Sequence, residues 1–321
     1  MRTTRFALLA IAVALAGDVS SALGQDATLR YKWVKGDQVR YRTTQRSSTT
    51  MSGVPGLGEL TIDQTIVQVV RTVVEDVAAD GGVTLRQTFE SVRLEQSSPT
   101  GTFVFDSTVA GTPADQGAAV MATIMAAMVG EAVTIRIAPS GRVNTVEGMS
   151  RILEKAVTTL SASPATTLAF NQIKESMGDD AMRGLVEQGF AVFSDRPVKA
   201  GDSWTSQSEM INPIFGKATV ARTFTLRSLD SRDGASVARL AVSVAIKQVE
   251  PSTAGPLGFG AKLGDSESAG EIVFDITKGR VQQTSFKSET PLNMSFPQPG
   301  ADPVDIKGLS RTEQSVEILE N

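Results

Sequence analysis

The sequence contains no cysteine and no histidine. The first absence excludes disulfides, iron–sulfur clusters and thiolate nucleophiles. Together the two remove Ser-His-Asp and Cys-His catalysis, His- or Cys-ligated haem and ordinary zinc sites. Carboxylate, lysine, serine and tyrosine chemistry survive. Aromatic residues are scarce at 5%, with two Trp and two Tyr, which is thin provision for stacking sugars in a glycosidase cleft. An excess of positive charge is missing as well: 31 Lys and Arg stand against 35 Asp and Glu, a net charge of -4. No basic field releases counterions from nucleic acid, so no nucleic-acid partner is expected. The 321 residues do hold 41% hydrophobic content. That is enough for a buried core and, at roughly 150 residues per domain, for one or two domains.

No apolar run reaches the roughly 20 residues a membrane helix needs. The stretch Phe6–Ala16 is shorter, follows Arg2 and Arg5, and is followed by Ser20-Ser21-Ala22-Leu23-Gly24. A positive end, a short apolar run and small residues at the exit read as a secretory signal, with cleavage placed after Gly24. The mature chain is therefore expected to be exported, to the periplasm or beyond the cell, without a transmembrane segment. No Cys follows the run to carry a lipid anchor.

Two stretches share one β texture. Thr61–Val69 and Val83–Phe89 alternate apolar and polar residues on either side of Asp80-Gly81, the pattern of half-buried antiparallel strands joined by a turn. Ala218–Leu229 and Val237–Val249 repeat it around Asp233-Gly234. Further landmarks recur in the same order: Gly36-Asp37 and Gly201-Asp202, Gly130-Glu131 and Gly270-Glu271, Gly141-Arg142-Val143 and Gly279-Arg280-Val281. This order predicts an internal duplication.

Between the halves the period changes. Met149, Ile152, Leu153, Ala156, Val157 and Leu160 form one helical stripe. Ser163-Pro164 opens a second helix over Ala165–Met177, and Asp179 is placed to cap a third that carries Met182, Leu185 and Val186 and ends near Gly189. A further helix, Gly117–Gly130, is apolar nearly all round and must be buried or cover something apolar. Its Met121, Met125 and Met128 share a face, and methionines adapt to varied apolar shapes.

The fold class expected is α+β, mainly antiparallel β: two related curved halves, half-barrel or barrel-like, with a helical segment between them. The boundaries are 1–24 for the signal, 25–145 for the N-terminal half with helix 117–130, 146–193 for the helical connector and 194–321 for the C-terminal half.

The phrase Leu29–Tyr41, with Trp33-Val34-Lys35-Gly36-Asp37 at its centre, resembles the mature start of a family of exported bacterial β-rich proteins without assigned function. Pro197-Val198-Lys199-Ala200-Gly201-Asp202-Ser203-Trp204 is similar to the phrase opening that family's second half. The resemblance implies a secreted β-rich protein and supplies no catalytic residue. In architecture alone, curved sheet plus apolar helices resembles periplasmic lipoprotein-carrier half-barrels.

Catalytic patterns are absent: no P-loop, no G-x-S-x-G elbow and no S-x-x-K pair. Gly201-Asp202-Ser203 and Gly264-Asp265-Ser266 lack the His base that Gly-Asp-Ser sites use, and read as a turn and a loop. Glu75-Asp76, Asp179-Asp180 and Glu267 are candidates for carboxylate-based hydrolysis only because they are acidic. Asp230–Gly234 lacks calcium-loop spacing. No cofactor or metal is expected. The reading is a non-enzymatic protein that binds a lipid or other apolar small molecule on a curved sheet, lined by Met121, Met125, Met128, Ile152, Leu153 and Phe170, all equally suited to an ordinary core. The alternative is an adaptor that binds an envelope protein through a sheet edge, and a carboxylate hydrolase is a distant third.

Overall fold

Residues that alternate in polarity over long runs have one way to satisfy both their backbone and their apolar face, which is to pair edge to edge with similar runs. The computed structural model describes residues 26–54, 58–99, 101–109, 116–159, 178–212, 216–232, 235–250, 260–298 and 301–319. The elements are β1 (Gln38–Val54), β2 (Gly58–Val77), β3 (Val83–Ser98), β4 (Gly101–Asp106), α1 (Gln116–Met128), β5 (Ala132–Ile137), β6 (Val143–Glu147), α2 (Met149–Thr159), α3 (Asp179–Gly189), β7 (Ser203–Asn212), β8 (Gly216–Arg232), β9 (Ala235–Glu250), β10 (Gly260–Leu263), β11 (Ser266–Asp275), β12 (Arg280–Gln298) and β13 (Ala301–Leu319). All strands join one open, curved antiparallel sheet in the order β6-β5-β3-β2-β1-β13-β12-β11-β9-β8-β7, with β4 added to β3 and β10 to β12. The expected class is the observed one.

The order β6-β5-β3-β2-β1 and the order β12-β11-β9-β8-β7 are the same five-stranded meander laid twice in one sheet, with β13 between them. The repeat extends to single hydrogen bonds. Gly36 N donates to Val74 O and Val74 N to Asp37 O, at 2.9 and 2.8 Å; Gly201 N donates to Leu226 O and Leu226 N to Asp202 O, at 2.8 and 3.0 Å. Each Gly-Asp phrase thus docks its strand entry onto the second strand of its own meander. Asp233 and Gly234, and the signal residues 1–24, lie outside the described residues.

Two apolar clusters form at one end of the strands. The first packs Leu85, Val92, Ile135 and Val146 of the sheet under Ile124, Met125 and Met128 of α1 and Met149, Ile152 and Leu153 of α2. The second gathers Phe224, Leu226, Leu240, Ile272 and Phe274 around Leu29, Ala191 and Val198. The chain from Ala27 to Gly36 precedes the first strand and joins no ladder beyond one bridge. It crosses between the clusters, pairing Ala27 with Val198 and Lys32 N with Gly279 O at 3.1 Å. Tyr31 then meets four rings at centroid distances of 5.0–6.1 Å: Trp33, Phe190, Phe193 and Phe274.

Helix α3 packs against both β6 and β7, the two outermost strands of the path, and so covers the seam where the sheet does not meet itself. Asp179 does not cap its own helix, whose N-cap is Gly178. Its carboxylate instead accepts from Ser150 N at 3.1 Å, in the first turn of α2, while Ser150 Oγ accepts from Asp179 N at 3.4 Å. A carboxylate there meets the positive end of a neighbouring helix, so the capping chemistry is kept and its target changes. The second helix expected over 165–177 lies outside the described residues.

Candidate functional site

The centre of the sheet is where the architecture is unusual. No residue of β1 is buried, although β1 lies in the middle of the sheet, and in β13 Ile306 is the one buried residue among those described. Central strands normally carry a second layer on at least one face. Among the described residues, the helices and the N-terminal segment cover the flanks, and none forms a second layer over the middle.

Its two faces differ in chemistry because side chains alternate across the pleat. On the outer face the register sets Glu267 beside Glu289, Glu289 beside Arg311, and Arg311 beside Ser48. The next row runs Lys287, Glu313 and Arg46. Arg311 Nε donates to Glu289 Oε2 at 2.8 Å and Lys287 Nζ to Glu313 Oε1 at 2.6 Å. Lys287 and the more distant Arg46 hold the Glu313 carboxyl below its usual range. Two shallow, solvent-open troughs of about 690 and 630 Å³ lie on this face and share Arg311 and Glu313. Exposed ladders of this kind contribute little stability, about 0–1 kcal/mol per pair, but they keep an uncovered sheet face wet and unattractive to another sheet.

On the inner face of β1, β12 and β13, charge disappears. Tyr41 pairs with Ile318 and Val70, and Thr284 with Val316 and Ile272. Phe286 lies across from Gln314 on one side and Gly270 on the other. Tyr41, Val70, Phe286, Val316 and Ile318 are half-buried. They form an apolar strip that joins the two packed clusters, with Val70 against the first and Phe286 against the second, and along the strands it gives way to hydroxyl and amide groups: Ser47, Thr49, Gln64, Gln96, Ser288 and Ser310. Some of these bond to one another, Thr49 Oγ1 to Ser310 Oγ at 3.0 Å and Gln64 Nε2 to Gln96 Oε1 at 3.3 Å. Burial pushes the Tyr41 phenol up, against the opposing charge of Arg280.

One cation is buried on this face. Arg222 of β8 is 3% exposed. Its Nη1 donates to Glu187 O at 3.0 Å and Phe190 O at 3.1 Å, the last carbonyls of α3. Cationic capping of a helix C-terminus is favourable. Its Nε and Nη2 are buried with no acceptor among the described residues. Burial lowers the affinity of this guanidinium for its proton, opposed by the charge of Glu187 and by Tyr31.

The apolar residues proposed from sequence fall elsewhere. Met125, Met128, Ile152 and Leu153 are core residues of the first cluster, with exposures of 8% or less. Met121 belongs to α1, its side chain is outside the description, and Phe170 lies outside the described residues. None of the four described side chains lines either trough. The acidic candidates are dispersed: Glu75 pairs with Arg86 at 3.6 Å, Asp76 with Lys35 at 3.0 Å, Asp179 caps α2, and Glu267 faces the outer trough. Asp202 Oδ2 accepts from Lys199 N at 3.0 Å, a turn bond, and Ser266 Oγ lies 2.9 Å from Thr290 Oγ1. Sequence reasoning missed Tyr41, Phe286, Val316 and Arg222. The signal was present for Arg222, a lone charge in the apolar alternation Ala218, Val220, Arg222, Phe224, Leu226.

A family model described as a family of unknown function, DUF6263, matches residues 80–252, more than half of the chain. No curated protein sequence matches. Solved structures give distant likenesses. Lipovitellin, in a structure concerned with its lipid–protein interactions, gives a TM-score of 0.45 at 9% identity over 90% of this chain; the match spans only 26% of the lipovitellin chain. The β domain of the Bordetella autotransporter BrkA gives 0.24 at 8% identity, covering 88% and 99% of the two chains. An outer-membrane channel of Pseudomonas putida F1 gives 0.24 at 7%, covering 92% and 100%. At these scores the likenesses carry neither fold nor function to this chain.

Proposed function

We propose, for a chain that belongs to the DUF6263 family of unknown function, an exported, non-catalytic binding protein that seats an apolar ligand such as an acyl chain on the inner face of its sheet. The observation that carries this reading is the half-buried strip of Tyr41, Val70, Phe286, Val316 and Ile318, which joins the two packed clusters on strands that no described helix covers. Apolar area left half-wet beside a finished core gains free energy when a chain covers it. If a ligand and the strip together lose about 400 Å² of apolar surface, the gross gain is about 10 kcal/mol at 25 cal/mol per Å². Association costs of roughly 4–15 kcal/mol leave a net affinity in the micromolar range or weaker without further polar contacts.

The test is titration of the mature protein with a fluorescent fatty-acid probe, in the wild type and in Phe286→Ser and Val316→Ser. Saturable binding that weakens in both variants while the fold persists is the expected result. No binding by the wild type, or binding indifferent to both substitutions, contradicts the reading.

A second reading has one specific support. Among the described residues, strand β4 pairs only with β3, and Val104 on it is 50% exposed, which offers a six-residue edge for strand addition by an envelope protein. A partner whose binding is abolished by Val104→Pro, and which leaves the inner face free for the probe, would favour it.

A further inference from the structure

The affinity of a purely apolar seat is low, and Arg222 is the group on the inner face equipped to raise it. Its guanidinium spends Nη1 on two neutral carbonyls and leaves the Nε–H and Nη2–H edge buried and unmatched among the described residues. That edge is the side of arginine on which two parallel N–H bonds meet the two oxygens of a carboxylate. A buried guanidinium cannot neutralise itself by releasing a proton at ordinary pH, so its desolvation is offset only by an anion or by further acceptors.

Two features of the surroundings choose the anion and where its tail goes. The carboxylate of Glu187 lies close enough to act on Arg222 by charge, and Glu187 is itself buried. Glu187 already offsets the guanidinium charge, so each added negative charge is repelled, and a singly charged carboxylate that matches the free N–H edge is accommodated better than a doubly charged phosphate monoester. Across the sheet, the register carries Arg222 to Val244, Ser268, Ser288, Thr312 and Ser47 in turn. That inner-face row contains no other charge. It spans five strand spacings, about 24 Å at about 4.8 Å each, is lined by hydroxyls beyond Val244, and has Phe286 in the next inner-face row. The C-terminal end of α3 bonds to Arg222 at the seam where β6 and β7 do not pair. An anion entering there breaks no strand-to-strand ladder.

We infer that Arg222 is the anchor for the carboxylate of a long-chain fatty acid, whose tail lies across the inner face from β8 toward β13 and β1. This rests on the apolar-ligand reading above and adds a head-group site to it.

The experiment compares laurate with 1-dodecanol, two probes of equal chain length and different head-group charge, by calorimetric titration of the full mature chain at neutral pH. The expected result is laurate bound about tenfold or more tightly than dodecanol, as a charge-assisted bidentate contact implies. In Arg222→Met laurate should fall to the level of dodecanol while dodecanol is unchanged, and in Arg222→Lys it should fall part of the way. If Arg222→Met does not fold, the wild-type comparison and Arg222→Lys still decide. Equal binding of the two probes by the wild type, or laurate affinity unaltered by Arg222→Lys, overturns the anchor and leaves the apolar seat standing. Binding of neither probe overturns both.

Discussion

The rings of Tyr31 and Trp33 stack with centroids 5.1 Å apart and planes 13° from parallel. Trp33 packs on the first apolar cluster and Tyr31 on the second, so two residues of one extended segment tie together the flanks of a sheet whose centre no described element covers. Trp33→Ala is expected to cost about 2–3 kcal/mol, at the low end for loss of a large aromatic because the ring is only partly buried. The two meanders should then unfold less cooperatively. Urea unfolding followed by tyrosine fluorescence and by far-ultraviolet circular dichroism should give coincident curves for the wild type and separated curves for the variant.

Tyr31 also predicts an alkaline limit. Its hydroxyl accepts from Ala191 N at 3.0 Å, and burial raises its pKa well above the ordinary phenol value of about 10. The folded state therefore holds this proton more tightly than the unfolded state. The contribution is fully present below about pH 10 and is lost as pH rises from there toward the raised folded value. Tyr31→Phe removes that pH-dependent loss and also leaves Ala191 N–H without its acceptor, costing about 1 kcal/mol at neutral pH. Urea midpoints measured from pH 8 to 11 should fall more steeply in the wild type than in Tyr31→Phe.

The acid side is set in part by Asp106 at the end of β4. It accepts from Thr108 Oγ1 at 2.6 Å, Thr108 N at 2.9 Å and Arg93 Nη1 at 2.9 Å, and these bonds hold its pKa down at about 2. A carboxylate depressed on folding stabilises the protein above its unfolded pKa of about 3.9 and loses that contribution as pH falls toward 2. Between about pH 4 and 2, Asp106→Asn should show a shallower decline in stability than the wild type. Parallel slopes would contradict the assignment.

Gly279 stands at the turn between β11 and β12 with φ +61°, and a Cβ there would sit 2.4 Å from the backbone N of Lys32. Lys32 N donates to the carbonyl of this same glycine. Gly279→Ala should therefore displace the N-terminal segment as well as strain the turn. The expected loss is about 2–3 kcal/mol, with earlier proteolysis near residues 27–36 in a limited-digestion time course. Wild-type digestion kinetics would refute it.

Much of this architecture was legible in the residues. The alternation of Thr61–Val69 and Val83–Phe89, the Asp80-Gly81 turn and the recurring Gly-Asp phrases marked two β meanders, and the hydrogen bonds of Gly36 and Gly201 follow the same plan. The stripe from Met149 to Ala156 marked α2. The site was not legible, for a physical reason. Alternation says that one face of a strand is less wet than the other, but not whether a helix covers it. Met125 and Ile152 suit a lining and a core equally in the sequence; they lie in the first cluster together with Leu85 of β3 and Ile135 of β5. Tyr41, Phe286 and Val316 looked like ordinary strand residues, and what distinguishes them is that no described helix lies over β1, β12 and β13. Asp179 carried a correct capping signal whose target, α2, is set by tertiary packing.

The central claim is that the uncovered inner face is a seat for an acyl chain. Organic extraction of the protein purified under native conditions from the cells that produce it, followed by lipid mass spectrometry, tests it most directly. The account predicts about one equivalent of long-chain lipid per chain, released on unfolding and much reduced in Phe286→Ser. Protein that is stably folded, free of lipid at isolation and still free of it after incubation with lipid extract would contradict it.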